Sequence, residues 1–157
     1  MTLLPLFEWC EATAIGSAIR NSAWLFPVIE SIHLLALATI GGALLLVDLR
    51  LLGLGLRAQP VRQLARDAQP WLIGSLLVMI STGIPLFLSE SIKCYYNPAF
   101  WVKMTALPLA ILFTFTVRRK VTTAHETRGV HANRLVALVS LTLWFGVAAA
   151  GRWIGFS

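Results

Sequence analysis

The sequence predicts an all-α protein, an integral membrane four-helix bundle with an N-terminal interfacial helix. Composition supports this fold, because 57% of the 157 residues are hydrophobic and only 13% are charged, whereas soluble domains are about half apolar and a quarter charged. The mean hydropathy of +0.76 agrees. Four apolar stretches approach the ~20 residues that a helix needs to cross hydrocarbon. They leave no room among these residues for a folded catalytic domain, so any chemistry is expected between the helices.

The predicted spans are residues 24–47, 71–88, 100–117 and 135–154. Helices are expected because lipid offers no partner for open backbone groups, and the alternating pattern of porin strands is absent from the sequence. Pro85 and Pro108 are expected to kink the second and third spans, since proline removes a backbone donor. Without internal repeats, residues 1–157 are expected to form a single membrane domain.

The segment before the first span, residues 1–21, mixes polar side chains with apolar ones at helical spacing. This pattern favours a short helix lying at the membrane interface. The segment lacks the basic leader, the long apolar run and the cleavage site of a signal peptide. We therefore expect it to be retained.

The distribution of Lys and Arg predicts the orientation, because basic loops stay on the cytoplasmic side. Arg50, Arg57, Arg62 and Arg66 follow the first span, Arg118, Arg119, Lys120, Arg128 and Arg134 follow the third, and Lys93 follows the second. The sequence therefore predicts a multi-pass protein of the bacterial inner (cytoplasmic) membrane with both termini periplasmic. The net charge of +6 is explained by this topology and by attraction to anionic membrane lipid, so no nucleic-acid partner is predicted.

The two cysteines, Cys10 and Cys94, fall on the same outer face in this topology. In a bacterium that face is oxidising, so a disulfide between them is one alternative. Two lone cysteines outside any motif also commonly serve as unlinked small apolar residues. The sequence leaves both alternatives open.

The first span carries ionisable residues, which are costly in lipid and therefore normally face the bundle interior. At 100° per residue, one stripe about 80° wide contains Glu30, His33 and Asp48. Glu30 is expected to pair with Lys103 of the third span, because an unpaired charge at that depth is unfavourable. Asp48 is expected to pair with Arg50 or with a basic residue of the other cytoplasmic loop.

His33 and Met79 are each ~14 Å below the outer ends of their spans, so the two side chains could face each other. An imidazole and a thioether are axial ligands of haem iron, and these residues are the predicted metal ligands. Lys103 and Arg152, nearer the outer rim, could pair with haem propionates, and Glu30 completes the predicted cofactor-binding set. Because the spans contain a single histidine, a bis-histidine haem would need two copies of His33 in a symmetric dimer.

A structural explanation of the same residues also exists. His33 could simply form a hydrogen bond with Glu30 or with a neighbouring helix. Met79 could fill a gap in the core, as methionine often does.

Five segments resemble a bacterial family of small four-helix membrane proteins known only as a domain of unknown function: SAWLFP at residues 22–27, ESIH at 30–33, DLRLLG at 48–53, FWVK at 100–103 and GRWI at 151–154. More distantly, His33 followed by Gly41 and Gly42, with Lys103 early in a later span, is similar to the copper-resistance D domain and to the haem-containing membrane protoporphyrinogen oxidases. This second resemblance implies a haem ligand at His33 and an essential lysine at Lys103.

Three functions are consistent with the sequence. The first is a membrane b-type cytochrome that binds haem b and passes electrons between quinol and an outer-face partner. The second is a sensor or transport component that binds a metal ion or small solute in a polar pocket. The third is a non-catalytic accessory subunit that packs against partner membrane subunits or forms a homo-oligomer. An independent enzyme is less favoured, because no nucleophile and base form a known motif, and no catalytic residue is predicted.

Overall fold

The computed structural model describes residues 3–55, 58–124 and 129–156, and the described residues confirm the all-α fold. The elements are α1 (Leu4–Glu11), α2 (Ala14–Arg20), α3 (Leu25–Leu52), α4 (Val61–Ser89), α5 (Ser91–Tyr96), α6 (Pro98–Phe113), a π-helical stretch (Thr114–Arg118), α7 (Arg119–Thr123) and α8 (Val130–Phe156). Two of the loop cations that predict the orientation, Arg57 and Arg128, lie outside the described residues.

Four helices of the described chain are long and apolar enough to cross a membrane: α3, α4, the continuous helix Pro98–Thr123 and α8. Their lengths of 26 to 29 residues exceed those of the predicted spans. The predicted spans end where polar residues lower the hydropathy, whereas the helices themselves continue through those residues by backbone hydrogen bonding. Helix α4, for example, begins at Val61, ten residues before the apolar stretch that starts at Trp71. The four-helix bundle and the multi-pass membrane architecture are confirmed.

The N-terminal segment forms two helices, whereas the sequence predicts one. Thr13 separates them, because its backbone is extended (φ −61°, ψ 150°). Its hydroxyl oxygen accepts a hydrogen bond from the Gly16 amide at 3.2 Å and donates to the Cys10 carbonyl at 2.8 Å. Threonine at this position is a typical helix N-cap. Apolar spacing alone could not show the break, because it does not detect a capping hydroxyl.

Helices α1, α2 and α5 cover one end of the bundle, and we call them the cap. Glu11 joins the three, since its carboxylate accepts from the Ile92 amide at 2.7 Å and pairs with Arg20 at 3.0 Å. Arg20 also donates to the Ser89 carbonyl at the end of α4, at 3.2 Å. The Phe7 ring packs edge-on against aromatic rings of α4, α5 and α6, including Phe87 at 5.4 Å. The cap is therefore held by both polar and apolar contacts.

Helix α3 packs along α4 and α8, and α6 packs along α8. In the described part of the chain, α4 and α6 share no interface of comparable extent. The arrangement across the bundle is therefore α4, α3, α8, α6, and a groove remains between α4 and α6. Both cavities described below lie in this groove.

A buried ion pair crosses the bundle at the end opposite the cap. Arg118 Nε donates to Asp48 Oδ1 at 2.8 Å, and Arg118 Nη2 donates to the Leu44 carbonyl at 3.3 Å. Ser140 donates to the other Asp48 oxygen at 2.6 Å. The prediction that Asp48 pairs with a basic residue beyond the third span is confirmed, and Arg50 instead donates to the Gln59 carbonyl at 2.8 Å.

Candidate functional site

The candidate site is a cavity of about 390 Å³ beneath the cap, between α3, α4, α6 and α8. Along α4 it extends from Met79 to Glu90, which is ~16 Å at the helical rise. Its volume lies in the range of small-molecule sites, and its walls are mainly apolar, as is common for such sites. The polar or sulfur-bearing side chains that line it are those of Glu30, His33, Met79, Glu90, Cys94, Lys103 and Met104.

His33 is held by a hydrogen bond between its Nδ1 and the Thr82 hydroxyl oxygen at 2.9 Å. That hydroxyl lies 2.7 Å from the Val78 carbonyl, and when it donates its single proton there it accepts from His33. In that tautomer Nδ1 carries the proton and Nε2 keeps its lone pair. A neutral imidazole with a free Nε2, fixed through Nδ1–H, is the form in which histidine ligates metals.

Gly83 provides the space for the His33 ring. A Cβ atom at this position would lie 3.3 Å from His33 Cε1, tighter than normal packing allows without a shift of the ring. The role of Gly83 depends on a contact between two helices and has no signal within α4 alone.

Met79 lies on α4 one turn before Thr82 and is 2% exposed. It lines the cavity and also packs in the core cluster that contains Ala36, Ile40 and Leu76. The expectation that Met79 fills the core is confirmed, and its role as an iron ligand stays a prediction. Its thioether is a soft ligand next to the histidine site.

Lys103 and Glu30 both line the cavity, but the predicted salt bridge between them is not formed within the described residues. Lys103 lies along α8 at Gly151, where a Cβ would be 3.4 Å from its Nζ. Glu30 points to Gly155, where a Cβ would be 3.8 Å from its Oε1. The two glycines are one helical turn apart, about 6 Å, which separates the two charges.

Arg152 is the member of the predicted cofactor-binding set that the structure leaves outside the cavity. Its side chain is exposed, and its guanidinium lies over the Phe156 ring at 4.2 Å. Gly151 faces the cavity, and the next residue of a helix points about 100° away from it. Of the two predicted cations, Lys103 lines the cavity and Arg152 does not.

Cys94 of α5 lines the roof of the cavity and was not predicted as a site residue. Burial, with a further contribution from the charge of Glu90, raises the pKa of its thiol to about 11. Cys94 and Cys10 are both free thiols. Cys94 therefore contributes a neutral, weakly polar surface to the site.

Comparison with known proteins gives a family but no activity. No curated protein and no solved structure matches the chain. One family model matches residues 6–157, which is nearly the whole chain. Its description agrees with the resemblance that the sequence segments indicate. The chain belongs to the family of unknown function DUF6644.

Proposed function

We propose that this protein is a membrane b-type haem protein that transfers electrons, with haem b in the cavity beneath the cap. The observation that carries this proposal is the position of His33, whose Nδ1 is bonded to the Thr82 hydroxyl oxygen and whose side chain lines a mainly apolar cavity. The hydrogen bond to Thr82 joins α3 to α4, as a structural histidine would, and the cavity that His33 also lines is the feature that a structural role alone does not require.

The donor set favours haem over a bare metal ion. In the described residues, no group of three or more His, Cys, Asp or Glu side chains could hold a metal ion. Haem brings its own equatorial nitrogen ligands and needs only one or two axial ligands from the protein. His33 supplies one, and the Met79 thioether is the candidate for the other.

The remaining residues of the cavity fit the rest of such a cofactor. Lys103 has no carboxylate partner within the described residues and is available to pair with a propionate. Leu34, Ile80 and Ile84 line the cavity and are also exposed on the outside of the bundle. This apolar wall supports quinol as the electron donor, because a lipid-soluble quinol could approach it from the bilayer. Haem, when bound, supplies the one-electron chemistry.

The proposed location is a bacterial inner membrane, with the cap and both termini on the periplasmic side. The support is the charge distribution, since Arg62, Arg66 and Arg119 lie at the end opposite the cap. The cofactor would then lie in the periplasmic half of the membrane.

The proposal is tested by absorption spectra of the purified protein, oxidised and reduced with dithionite, after expression with ample haem. We expect a Soret band and sharp reduced α and β bands from the wild type and from His131→Ala, a histidine exposed in the first turn of α8. His33→Ala is expected to lose the bands. A colourless wild type, or bands that survive His33→Ala, would overturn the proposal and favour the accessory or solute-binding function.

Thr82→Val is expected to weaken haem binding by about 10-fold to 100-fold, the usual effect of removing the group that orients a metal-binding histidine. Valine has nearly the same shape as threonine but cannot form a hydrogen bond with His33 Nδ1. Thr82→Ser should restore affinity, and Thr142→Val is the control, because its hydroxyl donates only to the Leu138 carbonyl of its own helix. The measurement is haem titration of the apoprotein, and equal affinities for Thr82→Val and Thr142→Val would contradict the role of Thr82.

A further inference from the structure

A second cavity, of about 240 Å³, lies in the same groove between α4 and α6, at the end opposite the cap. Four arginines line it: Arg62 and Arg66 from the first turns of α4, and Arg118 and Arg119 from the end of the π-helical stretch and the start of α7. The haem proposal does not use this cavity. Its lining is far more polar than that of the cavity beneath the cap.

The cavity carries an excess of positive charge. None of the described residues that line it is an aspartate or glutamate. Asp48, which does not line the cavity, neutralises Arg118, and the Asp48 carboxylate is fully buried in that ion pair. The charges of Arg66 and Arg119 have no such counterpart among the described residues of the lining, so an anionic ligand is favoured.

Arg118 gives the cavity a rigid wall. Its side chain is 7% exposed and is fixed by hydrogen bonds to Asp48 and to the Leu44 carbonyl. These bonds use two of the five guanidinium N–H donors, so three are left for other partners. Guanidinium groups match the oxygen geometry of phosphate better than ammonium groups do.

The opposite wall of the cavity is apolar and continues into the membrane. Ala43, Leu72 and Phe115 line it above the arginines, in the groove that α4 and α6 leave open. A free phosphate would leave this apolar wall uncovered, whereas the acyl chain of a lipid would bury it. Basic pockets between membrane helices are typical binding sites for anionic lipid headgroups.

We propose that this cavity binds the phosphate of an anionic phospholipid, with the lipid's acyl chains lying along the groove between α4 and α6. The lipid would join the two helices that the chain itself leaves in little contact. The site is independent of haem.

The test uses the full-length protein in a nonionic detergent, titrated with phosphatidylglycerol or phosphatidylcholine of the same acyl chains, with bound lipid counted by native mass spectrometry. Two double variants remove equal charge from the same end of the bundle. Arg66→Gln with Arg119→Gln changes exposed arginines that line the cavity, whereas Lys120→Gln with Arg134→Gln changes exposed cations that do not. Arg118 stays intact, so the buried ion pair is unaffected.

We expect the wild type to prefer phosphatidylglycerol, and the cavity variant to bind it roughly 30-fold more weakly, since each cation near a headgroup accounts for about a fivefold change. The control variant should stay within about fivefold of the wild type. Equal losses in the two variants would mean general surface attraction and would overturn the proposal. So would the absence of a headgroup preference, or displacement of the lipid by millimolar inorganic phosphate, which would identify a soluble anion as the ligand.

Discussion

Replacing Asp48 with leucine is expected to lower the free energy of unfolding by about 3–5 kcal/mol, because it leaves the Arg118 charge buried without a partner. Asp48 is fully buried, and the Arg118 side chain is 7% exposed at an N···O distance of 2.8 Å. The substitution also removes the acceptor for the Ser140 hydroxyl. The loss is dominated by the unpaired cation, since the Arg118 side chain is nearly buried and would keep its desolvation cost without its carboxylate partner.

Thermal or denaturant unfolding in detergent micelles measures this loss. Asp67→Leu is the control, because Asp67 is exposed on α4, and we expect it to change the free energy of unfolding by less than about 0.5 kcal/mol. The double variant Asp48→Leu with Arg118→Met should recover most of the stability, since apolar residues of similar volume often replace a buried pair without cost. An Asp48→Leu protein as stable as the wild type, or a double variant no better than the single one, would contradict the assignment.

The bundle itself could be predicted because each membrane helix has its own signal in the sequence. Apolar length gave the four spans, and the shared stripe of Glu30, His33 and Asp48 gave the interior face of α3. The partner of Asp48 could be narrowed to a basic residue but not chosen, because Arg50 and Arg118 have equal local signals. Only the packing of α3 against the end of α6 decides between them.

Four of the five predicted cofactor-binding residues line one cavity. They could be predicted because their depth along each span can be calculated from the sequence. His33, Met79 and Lys103 were placed from their distance to the helix ends, which holds for any arrangement of four helices. The groove between α4 and α6 could not be predicted, because the order of helices around the bundle is not encoded in any one of them. For the same reason, the separation of Glu30 from Lys103 was missed, since it depends on where each meets α8.

Helices α1 and α2 of the cap could be predicted only as one interfacial segment, and α2 approaches α4 closely at a glycine, Gly16. A Cβ on Gly16 of α2 would overlap the Leu88 carbonyl oxygen of α4 and would lie 3.2 Å from the Glu11 carbonyl oxygen. Both atoms belong to helical backbone and cannot rotate away. Gly16→Ala is therefore expected to push α2 off α4 and to break the Arg20 hydrogen bond to Ser89. Overpacking of this kind commonly costs about 1–3 kcal/mol.

Cys94 reports whether the cap is docked, because its thiol is buried with a pKa of about 11, against 9.0 for an unperturbed thiol. Undocking is expected to bring the pKa back toward 9.0, and the thiolate fraction at pH 8 then rises about 100-fold, since thiolate is the reactive form. In a Cys10→Ser background, we expect Gly16→Ala to accelerate iodoacetamide labelling of Cys94 by about this factor. Gly42→Ala is the matched control, since its Cβ would meet nothing within 4 Å, and it should label at the wild-type rate. Wild-type labelling of Gly16→Ala would mean that the cap is held by Glu11 and Phe7 alone and that the close approach of α2 to α4 is dispensable.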